Sequence, residues 1–173
     1  MQRKSSTHGR GVVFLALLIL TASGVVLAVT GAPKIEIEVQ VERELVRIDA
    51  GGKKIVERNP VDIAKPGDVL VYTLTATNVG VGPALEARLE DPLPTGAELI
   101  LDSLEHGRTT PTASLDGGKT WQPFPAQVER RGADGKVESI PAPAERYTHL
   151  RWTLAEPLAP GESKDVRFKV RVH

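Results

Sequence analysis

The sequence predicts an all-β chain: an antiparallel sandwich over residues 33–173, preceded by one apolar helix within residues 1–32. Three observations carry that expectation. After residue 33, apolar side chains recur with period 2 in short runs, and no window keeps a helical period. Turns rich in Gly, Pro and Asp separate these runs at the spacing of a sandwich or small barrel. Ahead of them, residues 11–29 (GVVFLALLILTASGVVLAV) carry no charge and follow Arg3, Lys4 and Arg10.

A basic start followed by an apolar run is the pattern of an export signal. Residues 12–20 have the length of a signal h-region, and Ala22-Ser23-Gly24 and Val26-Leu27-Ala28 put small residues at cleavage positions. The whole run also reaches the length of about 20 apolar residues needed to span a bilayer. Residues 1–32 therefore read as a signal peptide or an N-terminal membrane anchor, with Thr21, Ser23 and Gly24 favouring cleavage. In either case the basic flank stays inside and the body emerges outside. The expected location is periplasmic or extracellular, secreted or held by that anchor.

The body opens with residues 34–42 (KIEIEVQVE), which set Ile35, Ile37, Val39 and Val41 on one face of a half-buried strand. LVRI and KIVE then flank a hairpin turn at Asp49-Ala50-Gly51-Gly52. A turn at Lys65-Pro66-Gly67-Asp68 starts residues 69–77 (VLVYTLTAT), with Leu70, Tyr72, Leu74 and Ala76 inward. Residues 78–83 (NVGVGP) read as a loop. Residues 84–90 read as a strand with Leu85, Ala87 and Leu89 inward, stopped by Pro92 and Pro94. Short strands follow around 99–101, 112–115 and 121–124, then a hairpin turning at 133–136. Residues 147–154 place Leu150, Trp152 and Leu154 on one face. After Pro160-Gly161, residues 165–172 close the chain with Val166, Phe168, Val170 and Val172 inward.

The 22 basic and 22 acidic residues balance, but the leader takes three basic ones and no acidic one, leaving the body at −3. Interspersed charge of this kind excludes the basic patches that nucleic acid requires. Cysteine is absent, so stability rests on the core of a monomeric body rather than on disulfides.

Residues 67–100 (GDVLVYTLTATNVGVGPALEARLEDPLPTGAELI), with Pro66 before them, and 158–172 (LAPGESKDVRFKVRV) carry a Pro-Gly-Asp turn, a Tyr-Thr strand ending in Thr-Asn, a D-x-L-P turn and a closing L-x-P-G-E strand. Together they resemble the conserved repeat domain family of bacterial and archaeal surface proteins, domain of unknown function eleven. That resemblance implies an Ig-like sandwich in an exported surface or envelope protein, with Asn78, Asp91 and Pro94 at family turn positions. Members often occur in tandem, whereas this chain carries one copy.

Residues 114–121 (SLDGGKTW) fit S-x-D-x-G-x-T-W and resemble the Asp box of sialidases and other glycan-processing propellers. Ser114, Asp116, Gly118, Thr120 and Trp121 are the matching positions. The local chemistry is that of a self-bonded hairpin, with hydroxyl and carboxylate serving turn backbone and tryptophan packing beneath. One copy in a chain too short for a propeller favours a structural hairpin over a glycan-active one. A sialidase also needs a tyrosine nucleophile in an arginine cluster, and only Tyr72 and Tyr147 exist.

Ordinary glycosidase chemistry needs two carboxylates across a cleft; Glu36, Glu38, Asp91, Asp102 and Glu105 are available, mostly at solvated strand positions. His8, His106, His149 and His173 lack metal-ligand spacing and read as surface residues, His149 facing outward beside Arg151. Asp102, Ser103 and His106 are triad types without a nucleophile elbow. A Lys34–Asp165 isopeptide link would need both groups on the dry face, and alternation sets them on the other. No cofactor or metal is expected. The sequence therefore points to a non-catalytic cell-envelope module acting structurally or by protein interaction. The alternatives are an accessory protein docking another exported chain by its sheet edge, and a glycan-binding or glycan-processing domain around Trp121.

Overall fold

Strands that are apolar on one face need a second sheet to cover that face, and the chain supplies it. The computed structural model describes residues 31–173, so the apolar run at 11–29 and the helix expected there lie outside the described residues. The described strands are β1 (Ile35–Ile48), β2 (Lys54–Pro60), β3 (Val69–Asn78), β4 (Arg88–Pro92), β5 (Ala97–Leu99), β6 (Thr109–Ser114), β7 (Gln122–Pro123), β8 (Gln127–Arg131), β9 (Val137–Pro141), β10 (His149–Leu154) and β11 (Ser163–Val172). Leu101–Ser103 and Ala144–Arg146 form single 3₁₀ turns. No helix among the described residues is long and apolar enough to cross a membrane.

One sheet runs β2-β1-β3-β11-β5, a second runs β4-β10-β6-β7, and β8 pairs with β9 alone. Every pairing is antiparallel. The two large sheets share one core. Leu70, Leu74 and Ala76 of β3 and Val166, Phe168 and Val170 of β11 meet Leu89 of β4 and Leu150, Trp152 and Leu154 of β10. Tyr72 stacks on Phe168 at 4.9 Å, and Trp152 of the opposite sheet stacks on Phe168 at 5.9 Å. Each large apolar side chain so buried contributes about 2–3 kcal/mol, and each aromatic pair adds about 1 kcal/mol.

The expected turns at 49–52, 65–68, 133–136 and 160–161 all join or launch strands. At the second, Gly67 takes a φ of 88° that a side chain would resist, while Asp68 accepts the Lys65 N–H at 2.8 Å.

The strands differ from the sequence reading chiefly at four places. Residues 34–42 and LVRI form one strand, β1, rather than two. Ile37 and Val39 are each 46% exposed although their β3 partners, Ala76 and Leu74, are fully buried. Cover along β1 is thus incomplete: Ile35 and Val41 pack against the core, and Ile37 and Val39 between them do not. Residues 84–90 are not one strand: β4 begins at Arg88, and Glu86 adopts a φ of 49°. That left-handed residue puts both Ala84 and Ala87 inside and turns Leu85 out to 70% exposure. Finally, the strand around 99–101 ends at Leu99, and a 3₁₀ turn follows.

Candidate functional site

The stretch at 114–121 folds because its polar groups satisfy one another. Buried Ser114 at the end of β6 donates from Oγ to Asp116 Oδ1 at 2.7 Å and accepts the Gly118 N–H at 2.9 Å. Asp116 accepts the Thr120 N–H at 2.9 Å and the Thr120 hydroxyl at 2.6 Å. These bonds, led by the Thr120 hydroxyl, hold the Asp116 carboxyl well below the usual carboxylate range. Gly117 and Gly118 turn the chain at φ of 76° and 81°. Trp121 Nε1 donates to the Gly118 carbonyl at 3.1 Å. Thr148 ties the hairpin to β10, donating to the Ser114 carbonyl at 3.1 Å and accepting the Gly117 N–H at 3.0 Å.

All five motif residues therefore converge, with their polar atoms already engaged. The Arg151 guanidinium lies 3.6 Å over the Trp121 ring, occupying one indole face on which a sugar would stack, and also pairs with Glu90 at 2.9 Å. The His149 ring meets Trp121 edge-on at 6.3 Å.

Of the turn positions, Asn78 is the most completely bonded. It is fully buried, and its amide donates to the Gly82 and Leu158 carbonyls at 2.8 Å each. Its Oδ1 accepts the Lys34 N–H at 3.2 Å and the Gly80 N–H at 3.0 Å. One side chain thus joins the start of β1, the loop after β3 and the turn before β11. Pro94 lines a shallow groove with Leu93, Tyr147 and His149.

Asp91 alternates with Leu89 on β4, which sends its carboxyl towards the core from a position opposite Leu150. Oδ2 finds no hydrogen-bond partner among the described residues. Burial pushes the carboxyl up to about 6, with the His149 imidazole opposing the rise. Burial also raises the Tyr72 phenol, and the Asp91 charge adds to that rise. The sequence carried one signal of this: Asp91 falls two residues after inward-facing Leu89.

The other acids are scattered. Glu36 and Glu38 pair with Thr77 and Thr75 across β1 and β3, whereas Glu105 bridges to Arg167 of β11. Among the described residues, no group of three or more His, Asp or Glu could hold a metal. Tyr147 is buried, with its hydroxyl accepting the Ala126 N–H at 3.1 Å. His106 and His149 correct the surface reading: both are half-buried, each with Nδ1 shielded from solvent. Lys34 and Asp165 are exposed and pair with Glu36 and Arg167; Lys34 immediately precedes β1 and Asp165 lies on β11, with β3 between those strands. Asp102 is exposed in its 3₁₀ turn, where Ser103 Oγ donates to the Ile100 carbonyl at 2.6 Å.

Besides a pocket lined by His106, Arg108, Thr109, Leu154, Glu156 and Asp165, what remains open is surface. β2 is a sheet edge with β1 as its neighbour, and six of its seven residues are exposed. Around it Val46, Ile48, Ile55 and Val56 are 51%, 66%, 40% and 48% exposed. The sequence patterning of 45–57 showed a hairpin but not that it projects past the second sheet. No model of a known protein family matches the chain, and searches of curated proteins and of solved structures found no similar protein.

Proposed function

We propose that the chain is a non-catalytic module of the cell envelope, exported by residues 1–32 and folded outside the cytoplasm as an immunoglobulin-like sandwich of the conserved repeat kind. Its body docks another exported protein chain along β2. The observation that carries the docking is the free edge of the β1–β2 hairpin, flanked by half-exposed Val46, Ile48, Ile55 and Val56. An added strand draws affinity from the unpaired N–H and C=O groups and register from alternate side chains. Lys53, Lys54, Glu57 and Arg58 place both signs of charge along that edge, which selects among partners and discourages like-on-like stacking. Export is supported by the basic flank and the uncharged run at 11–29.

The test is site-specific photo-crosslinking in cells of origin, with the reactive group at Ile55 or, as control, at Asp134 in the β8–β9 turn. One discrete protein adduct from position 55, missing from position 134 and abolished by Val56→Lys with Val46→Lys, is expected. Equal labelling from both positions, or none from position 55, contradicts the docking edge.

A further inference from the structure

The loop after β3 presents apolar side chains to solvent at a fixed place. Residues 79–85 (VGVGPAL) hold no charge. Val79, Val81 and Leu85 are 46%, 67% and 70% exposed. Backbone bonds hold this loop against the entry of the chain into the fold: Val79 N–H donates to the Lys34 carbonyl at 2.8 Å and Val81 N–H to the Ala32 carbonyl at 3.3 Å. Asn78 closes the loop from within through Gly80 and Gly82, and Ala84 bridges to Leu158. Leu85 has no inward option while Ala84 and Ala87 fill the core on either side of left-handed Glu86. The outward set of the three side chains is thus built into the backbone.

Position then identifies what they meet. Ala32 is bonded to the loop, and only Thr30 and Gly31 separate it from Val29, the end of the uncharged run. Three Cα steps reach at most about 11 Å. We propose that in the membrane-held form of the protein this loop is a lipid contact, with Val79, Val81 and Leu85 seated in the interfacial layer of the bilayer that takes residues 11–29. This rests on the export reading and on the leader being retained. The loop holds no charge, and the charges beside it are of both signs, the Lys34–Glu36 pair and Glu86, so the contact is apolar and does not depend on anionic lipid.

The chain has no cysteine, so one introduced thiol takes one fluorophore. Val81→Cys and Leu85→Cys of the full-length protein carry a bimane label in phosphatidylcholine vesicles containing spin-labelled lipid. Thr95→Cys is the control. Gly96 accepts the His173 N–H at the far end of β3, whose ten residues span about 30 Å. Labels at 81 and 85 are expected to be quenched about twofold or more, as for side chains about 5–10 Å into the headgroup boundary. The label at 95 stays unquenched. Far-UV spectra and vesicle flotation accompany each variant. Flotation with labels at 81 and 85 no more quenched than at 95 overturns the lipid contact and leaves the anchor standing. Failure to float overturns both.

Discussion

Replacing Asp91 by Asn changes how the stability of the body depends on pH. In the folded chain the carboxyl lies at the rim of the core, and burial raises it from 3.8 to about 6. The folded state therefore holds this proton more tightly than the unfolded state. Stability from this group is fully present below about pH 4 and is lost as pH rises through about 6. Ionisation at neutral pH costs at most about 3 kcal/mol, at about 1.4 kcal/mol per tenfold change in proton affinity. The carboxyl is only partly buried, and solvent screening leaves about 1–2 kcal/mol of that. For a body of this size the figure corresponds to about 4–8 °C in melting temperature. Calorimetry of wild type and Asp91→Asn at pH 4 and pH 7 reads the difference. The variant should match wild type at pH 4 and melt higher by that amount at pH 7. An offset that is the same at both values, or a variant that melts lower at pH 7, refutes the reasoning.

Other substitutions test the remaining contacts. Asn78→Ala strands two carbonyls and two N–H groups at a fully buried position and should cost about 3 kcal/mol in urea unfolding. Trp152→Ala empties the centre of the inter-sheet stack and should cost about 4 kcal/mol, with loss of the near-ultraviolet aromatic signal. Glu86→Gly relieves a left-handed residue and should raise the urea midpoint, with a net gain of up to about 1 kcal/mol. Asp116→Ala should speed amide exchange at Gly118 and Thr120 without unfolding the body. The Asp116 carboxyl is held low, so its contribution is present above the ordinary carboxylate range and is lost only as pH falls well below it.

The alternation in β3 and β11 made the core legible, because Leu70, Leu74, Ala76, Val166, Phe168 and Val170 needed only period 2 and a covering sheet. The hairpin at 114–121 was equally legible, since its bonds join residues at most four apart, apart from the Thr148 tie. Ile37 and Val39 follow the same alternation yet stay half-exposed, because burial depends on where tertiary cover reaches. Leu85 was misplaced for a different reason. A left-handed glutamate carries no glycine to announce it, and it shifts the alternation by one residue. The environment of Asp91 required knowing that β4 lies across the core from Tyr72, a tertiary fact absent from local pattern. The projecting β2 edge, on which the proposed docking depends, is likewise a property of strand order rather than of any motif.

Export underlies the docking edge and the lipid-facing loop alike. A dual reporter fused after His173, with alkaline phosphatase active only outside the cytoplasm and β-galactosidase only inside, measures it in the intact chain. The account predicts phosphatase activity alone, reversed when residues 1–32 are deleted. Galactosidase activity from the full-length fusion would contradict it.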